Sequence, residues 1–139
     1  VTPSVAKVIE AVDAERLEIV SRLNLNVPPF IDYFCEAGLT TEEARQTGSV
    51  YQAMLNSEPN ETIKSPSSLD HRYIHEDVGY GLVPMSEFGR LVGVPTPVMD
   101  SMVTLASIAM GIDYQCVGLN LSRMGLEGML PQDLIASIC

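Results

Sequence analysis

The sequence has no tryptophan, only two histidines and few positive charges. The sequence has eight Lys and Arg residues and 18 Asp and Glu residues, which gives a formal net charge of -10 and a pI near 4.4. Nucleic acids and anionic lipid surfaces are bound by clusters of Lys and Arg, and the sequence contains no such cluster. We therefore expect neither nucleic acid nor a membrane among the partners of this chain.

Cysteine is scarce as well, with Cys35, Cys116 and Cys139 far apart along the chain. An odd number of widely spaced cysteines matches neither a disulfide framework nor a CxxC metal site. We expect three free thiols in a cytoplasmic protein. The most apolar window, from Val98 to Ile112, is too short to span a bilayer and is interrupted by polar residues.

Several motifs with known chemistry are missing. There is no GxGxxG after a strand, no GxxxxGK[ST] and no HExxH, which argues against a dinucleotide fold, a phosphate loop and a zincin site in this chain. A zinc site built from His71, His75 and Asp77 is conceivable, because histidines four residues apart on a helix can share a metal. We disfavour it, because Gly79 and Gly81 argue against a stable helix there.

What the sequence does have is helical periodicity. Thr2-Pro3 is a typical helix start, and apolar residues then recur at helical spacing as far as Asn24. The segment from Pro97 to Gly111 is apolar almost all round, which predicts a central buried helix. Helix is also predicted over 113–124, and shorter helices over 30–37, after 41, after 49, over 84–92 and from 131. No segment alternates like a strand, so we predict an all-α fold of about seven helices.

One polar stripe lies on the predicted central helix. Asp100, Thr104 and Ser107 fall at positions i, i+4 and i+7, on one narrow face. Close helix packing through small residues is the favoured interpretation of the stripe, and the wall of a binding site is the alternative.

The most polar segment is SPSSLDHRYIHEDVGYGLVP, residues 65–84, which holds both histidines. Arg72 offers a planar fork that matches a carboxylate in two hydrogen bonds. Asp77 could orient that arginine or bind a cationic group, while Tyr73 and Tyr80 supply aromatic walls. This composition suits a pocket for a small zwitterion such as an amino acid. A solvated turn or a structural ion-pair network is the alternative.

The stretch KSPSSLDHRYIHEDVGYGLVPMSEFGRLVGVPTPVMDSMVTLAS resembles the C-terminal helical domain of the octopine/nopaline (opine) dehydrogenase family. The first helix, VAKVIEAVDAERLEIVSRL, and the later LSRMGLEG also resemble that domain, so the resemblance covers nearly the whole chain. The matching segments of the central motif are Pro66-Ser67-Ser68, Asp70-His71-Arg72-Tyr73, Glu76-Asp77-Val78, Tyr80-Gly81-Leu82-Val83-Pro84 and Gly93-Val94-Pro95-Thr96-Pro97.

The resemblance implies a reaction in which the amine of an amino acid condenses with a 2-oxo acid and the imine is reduced by hydride transfer from NADH or NADPH. It also implies a helical fold similar to the C-terminal domain of 6-phosphogluconate dehydrogenase. Residues 1–139 would be the substrate-binding domain, and an N-terminal Rossmann domain, which this chain lacks, would bind the cofactor. The chain alone is then expected to be inactive. Its partners would be the amino acid, the 2-oxo acid and the Rossmann domain, and a homodimer is allowed.

The family motif assigns roles to three residues of this chain. By resemblance, Arg72 contacts the substrate and Asp77 binds or orients the amino substrate. His71 belongs to the same motif and is counted with the substrate-binding residues, although a structural hydrogen-bonding role is favoured for it. The acid/base histidine of the family lies in an upstream His-Pro segment that this chain lacks, so no catalytic residue is expected here. His75 is assigned no role.

Two alternatives stay open at this point. The chain could be the helical domain of another NAD(P)-dependent reductase that acts on a hydroxy acid or an oxo acid. It could also be a stand-alone helical module for binding or dimerisation, without catalysis. A GxGxxG segment and a His-Pro segment upstream would favour the opine dehydrogenase interpretation over both.

Overall fold

The computed structural model describes residues 1–138 and folds them into helices, with no strand among these residues. The predicted all-α class is confirmed, and the helices beyond the predicted seven are short. The α-helices are α1 (Pro3–Arg22), α2 (Phe30–Glu36), α3 (Glu42–Gln46), α4 (Val50–Leu55), α5 (Arg72–Asp77), α6 (Val83–Val92), α7 (Pro97–Met110), α8 (Tyr114–Val117) and α9 (Pro131–Ile138). A 3₁₀ turn covers Glu58–Asn60, and a π-helical turn, called the π-turn below, covers Val78–Leu82.

Side-chain caps explain where several helices begin. Thr2 Oγ1 accepts the Val5 amide at 3.3 Å at the start of α1, and Thr41 Oγ1 accepts the Ala44 amide at 3.2 Å at the start of α3. Helix α7 is capped from a distance instead, because the Glu15 carboxylate accepts the amides of Val98 and Met99 at 2.7 and 3.0 Å. This contact fixes α7 against the middle of α1.

The helix predicted from Pro84 starts much earlier. Helix α5, the π-turn and α6 form one continuous helical segment from Arg72 to Val92, so the expectation that Gly79 and Gly81 would prevent a helix was wrong. The wider π-turn changes the hydrogen-bond register, and Pro84, which has no amide hydrogen, lies just after it. The glycines are accommodated in the turn rather than breaking it.

Two clusters of buried side chains hold the helices together. The first packs the π-turn and α6 against α7 and α8, and the second joins α1, α6 and α9. The buried members of the first cluster are Val78, Leu82, Val83, Met99, Val103 and Tyr114, and those of the second are Ile19, Leu23, Val94 and Leu134. The π-turn therefore sits inside the core and has its neighbours on three helices.

The prediction of a central buried helix over Pro97–Gly111 holds for only one side of α7. Met99 and Val103 are buried, but Met102 is 36% exposed, Leu105 67% and Ile108 75%. The apolar composition of a helix shows that exposing any of its sides to water is unfavourable. It does not show which sides are covered by other helices. Helix α7 packs on α1, α6, α8 and the π-turn with one side only.

Two of the three residues in the polar stripe of α7 make contacts between helices. Asp100 accepts a short hydrogen bond from Ser86, and Ser107 Oγ accepts the Tyr114 amide at 3.3 Å, so these two residues join helices. Thr104 is exposed and lines a cleft with Arg90.

The predicted helix over 113–124 is reduced to the four residues of α8. Gly118 ends it with an extended conformation, φ −73° and ψ −178°. A Cβ at this position would lie 2.5 Å from the Gly79 oxygen and 2.6 Å from the Tyr114 oxygen. The backbones approach so closely here that only glycine fits.

Two further expectations concern cysteine and membranes. Cys35 and Cys116 are free thiols, as expected, whereas Cys139 lies outside the described residues. Across residues 1–138, no helix combines the length and the apolar character that crossing a bilayer requires.

Candidate functional site

The polar motif forms helix α5 and the turn before it. His71 is the N-cap of α5, and its Nδ1 accepts the Tyr73 amide at 3.2 Å. The His71 and Tyr73 rings meet edge to face with centroids 4.5 Å apart. His71 therefore determines where α5 begins, which agrees with the structural role favoured for it from the sequence.

Arg72 lies at the first position of α5 and points to solvent. Its Nε is 3.5 Å from the Glu76 carboxylate, and the two side chains are 69% and 59% exposed. The guanidinium carbon is 5.7 Å from the centroid of the Tyr73 ring. An exposed pair of this kind contributes at most about 1 kcal/mol, so Glu76 could release Arg72 to another carboxylate at little cost.

Asp77 lies at the other end of α5 and is exposed. Five residues along an α-helix correspond to a rotation of roughly 140°, so Arg72 and Asp77 leave the helix in different directions. The structure brings neither side chain to the other, and Arg72 is paired with Glu76 instead. Any joint role in substrate binding would require a ligand that reaches around the end of the helix.

His75, which was assigned no role from the sequence, has the most hydrogen-bond partners in the motif. Its Nε2 lies 2.9 Å from Asp70 Oδ1, and its Nδ1 lies 2.6 Å from the hydroxyl of Tyr114. A carboxylate only accepts hydrogen bonds, so Nε2 carries a proton, and in the neutral imidazole Nδ1 then accepts from the Tyr114 hydroxyl. The resulting chain Asp70–His75–Tyr114 ties α5 to α8.

Tyr114 is the buried end of this chain, with 3% of its surface exposed. Burial, followed by the charge of Asp70, raises the pKa of the Tyr114 hydroxyl above its ordinary value. The phenol therefore keeps its proton near neutral pH and remains available as a donor to His75.

The π-turn and the end of α8 meet at their backbones. The Leu119 amide donates to the Gly79 carbonyl at 2.8 Å, and the missing side chain of Gly118 allows this approach. Gly79 in turn lies under the Tyr114 ring, where an added Cβ would be 3.5 Å from Cδ1. The motif of α5 and the loop after α8 thus form one rigid unit around His75 and Tyr114.

The arrangement does not gather metal ligands. The Nδ1 of His71 is bonded to a backbone amide and both ring nitrogens of His75 are bonded to other partners. Within the part of the chain that the structure describes, no three His, Cys, Asp or Glu side chains are grouped as a metal would require.

Sequence reasoning missed Tyr114 because no local pattern connects it to His75, 39 residues away. The available signal was the buried aromatic character of a tyrosine just after the central helix. Asp70 was noted as part of the motif, but its pairing with His75 depends on a turn whose geometry the sequence does not specify.

Comparison with known proteins shows the family of the chain. Residues 1–110 match the family described as NAD/NADP octopine/nopaline dehydrogenase, alpha-helical domain. The chain is 37% identical over 129 residues to an opine dehydrogenase of Arthrobacter sp. (strain 1C), covering 93% of this chain and 34% of that protein. It is 33% identical over 122 residues to the protein ocs of Agrobacterium tumefaciens (strain Ach5), covering 86% of this chain and 32% of that protein.

A vitopine synthase of Allorhizobium ampelinum (strain ATCC BAA-846 / DSM 112012 / S4) is 26% identical over 137 residues, which cover 98% of this chain and 36% of that protein. The chain thus spans about a third of the length of the curated relatives that it matches. The family match covers the long helix α1, the polar motif and α7. The chain belongs to the octopine/nopaline dehydrogenase family and comprises its alpha-helical domain.

Proposed function

We propose that this chain is the substrate-binding domain of an NAD(P)-dependent opine dehydrogenase. The enzyme would condense the amine of an amino acid with a 2-oxo acid and reduce the imine. The amino acid, the 2-oxo acid and an N-terminal Rossmann domain would be its partners, in the cytoplasm. The observation that carries the proposal is the family match, together with an arginine that the fold leaves exposed at the start of the matching motif.

The nicotinamide cofactor does not fit the residues of this chain. A dinucleotide site needs free amides at the start of a helix that follows a strand and a glycine-rich turn. No strand occurs within 1–138, and the starts of α1, α3 and α7 are occupied by Thr2, Thr41 and Glu15. The cofactor is therefore assigned to the Rossmann domain, and we expect no activity and no NAD(P)H binding from this chain alone.

Arg72 is proposed to bind the carboxylate of the amino acid. A guanidinium makes two parallel hydrogen bonds with a carboxylate, each worth roughly 1.5 to 3 kcal/mol when solvent is excluded. The long contact with Glu76, at 3.5 Å, holds the side chain in place while no substrate is present. Asp77 is proposed to bind or orient the amino group, and His71 to support both through the start of α5.

The test is Arg72→Lys in the whole enzyme that contains this domain. Lysine keeps the charge but loses the fork, so kcat/KM for the amino acid should fall about 10-fold to 1000-fold, or roughly 1.4 to 4 kcal/mol. The melting temperature should hardly change, because the side chain is 69% exposed. Asp77→Asn should also impair turnover.

Arg22→Lys is the matched control. Arg22 forms an i,i+4 pair with Glu18 in α1, at 3.3 Å and with both side chains more than half exposed. It therefore resembles the exposed pair of Arg72 and Glu76 but lies outside the proposed substrate site. If Arg72→Lys unfolds the domain but leaves the specific activity of the remaining folded enzyme intact, Arg72 belongs to a structural network and the proposed role is refuted.

A further inference from the structure

A cleft next to His75 lies between the π-turn and α8. It encloses about 350 Å³ and is lined by Gly79 and Tyr80 on one side and by Tyr114 and Gly118 on the other. This volume is near the lower end of the range for small-molecule sites. Gly79 and Gly118 pack against each other at this cleft, which brings the π-turn and the end of α8 together.

Arg123 lies at the edge of this cleft, and its guanidinium has no carboxylate partner among the described residues 1–138. Of the six arginines in the sequence, all of which the structure describes, the other five each lie within 4 Å of a carboxylate. For Arg123, the contact found among residues 1–138 involves only the backbone, whose amide donates to Asn120 Oδ1 at 3.0 Å. Arg123 is exposed, so its guanidinium is accessible from solvent.

The walls of the cleft are held in place without blocking the guanidinium. The Asp70–His75–Tyr114 chain fixes the π-turn side to α8, and the bond from Leu119 to Gly79 fixes the loop that leads to Arg123. The single hydroxyl proton of Tyr114 is used on His75, so Tyr114 cannot also donate to a carboxylate. His75 and Tyr114 are therefore positioning residues, and Arg123 is the group that would meet an anion.

We propose that Arg123 binds the carboxylate of the 2-oxo acid in this cleft, while Arg72 binds that of the amino acid. The inference rests on the proposed function, because it is condensation of these two substrates that brings two carboxylates into one site. Each carboxylate needs its own cation once solvent is excluded. His75, which lines the cleft, lies three residues after Arg72 on the same helix, so the two anion sites would be neighbours.

The kinetic test uses the whole enzyme that contains this domain, with Arg123→Met, Arg123→Lys and the surface control Arg22→Met. We expect Arg123→Met to raise KM for the 2-oxo acid about 10-fold to 100-fold and Arg123→Lys to raise it less, because lysine keeps the charge. KM for the amino acid should change by less than about threefold, and Arg22→Met should change neither constant. An unchanged KM for the 2-oxo acid, or an equal rise in both KM values, would overturn the inference.

The binding test uses the 139-residue chain and pyruvate, the simplest 2-oxo acid with a carbon side chain, with alanine as the competing carboxylate. Ring resonances of His75 and Tyr80 should shift saturably with pyruvate but not with alanine, and the shifts should disappear in Arg123→Met. If the whole enzyme turns over no pair of an amino acid and a 2-oxo acid, the proposed function fails. The binding test alone then decides whether Arg123 binds a 2-oxo acid in this cleft. Shifts with alanine that equal those with pyruvate, or shifts that persist in Arg123→Met, would refute the assignment of the cleft.

Discussion

The contact between the π-turn and the end of α8 can be tested with one methyl group. Gly118→Ala would place a Cβ 2.5 Å from the Gly79 carbonyl oxygen and 2.6 Å from the Tyr114 carbonyl oxygen. Both atoms belong to backbone that is held in helices, so no flexible side chain can move aside. The two backbones must separate instead.

The size of the effect follows from this geometry. The contact with Gly79 must lengthen by roughly 0.8 Å to reach an ordinary C···O separation of about 3.3 Å. That movement stretches the hydrogen bond from Leu119 to Gly79, now 2.8 Å long. Overpacking costs about 1 to 3 kcal/mol and a lost hydrogen bond about 0.5 to 1.5 kcal/mol, so we expect a loss of roughly 1.5 to 4.5 kcal/mol in the free energy of unfolding.

Urea unfolding, followed by far-UV circular dichroism, measures the change from the midpoint at constant m-value. Gly81→Ala is the matched control, because it lies in the same π-turn, has an ordinary negative φ and would meet no atom within 4 Å. Alanine there should be neutral or should stabilise by up to about 1 kcal/mol. If Gly118→Ala changes the free energy of unfolding by less than about 0.5 kcal/mol, the close approach described above is wrong.

Two further predictions concern single carboxylates. Glu15→Ala removes the acceptor for the first amides of α7 and should lower the free energy of unfolding by about 1 to 2 kcal/mol in the same urea assay. The control is Glu18→Ala in α1, which loses only an exposed pair with Arg22 and should cost less than about 1 kcal/mol. Equal losses in the two variants would contradict the capping role of Glu15. Hydrogen bonds from Arg45 and then Gln46 lower the pKa of Glu42 from its ordinary 4.5 to about 2. The stabilisation by the ionised Glu42 is therefore complete above pH 4.5 and is lost as the pH falls through 2. Between these pH values the melting temperature should depend less on pH in Glu42→Gln than in the unchanged chain, whereas Glu43→Gln should keep the full pH dependence.

Much of the fold could be predicted from sequence because it depends on local rules. Thr2-Pro3 and the pair Thr40-Thr41 predicted helix starts that the structure confirms. The apolar spacing of the first 24 residues predicted the end of α1 to within two residues. The failures concern contacts between segments. That α7 exposes Leu105 and Ile108 depends on which helices reach it, and that α8 stops at Gly118 depends on a carbonyl 39 residues earlier.

The candidate site divides in the same way. Arg72 and Asp77 could be named from a motif that is continuous in sequence. A structural hydrogen-bonding role was favoured for His71 from the same segment, and the structure shows it as the N-cap of α5. His75 could not be given a role, because one of its two partners is Tyr114 on a different helix. The role of a histidine depends on what its two ring nitrogens face, and sequence spacing shows only the nearer candidates.

The arginines show the limit of local rules most clearly. A helix places residues three and four apart side by side, so an arginine with a carboxylate at that spacing is predicted to be paired. The rule is correct for every arginine that lies in a helix: Arg16 with Asp13, Arg22 with Glu18, Arg45 with Glu42, Arg72 with Glu76 and Arg90 with Glu87. It also predicts a pair between Arg123 and Glu127, four residues apart. That pair would require the helix to continue past Gly118, where close contact with the π-turn ends it. The contact that shortens α8 thus removes the helical geometry that this pair would need. Among residues 1–138, no carboxylate pairs with the guanidinium of Arg123, at the edge of the cleft proposed for the 2-oxo acid.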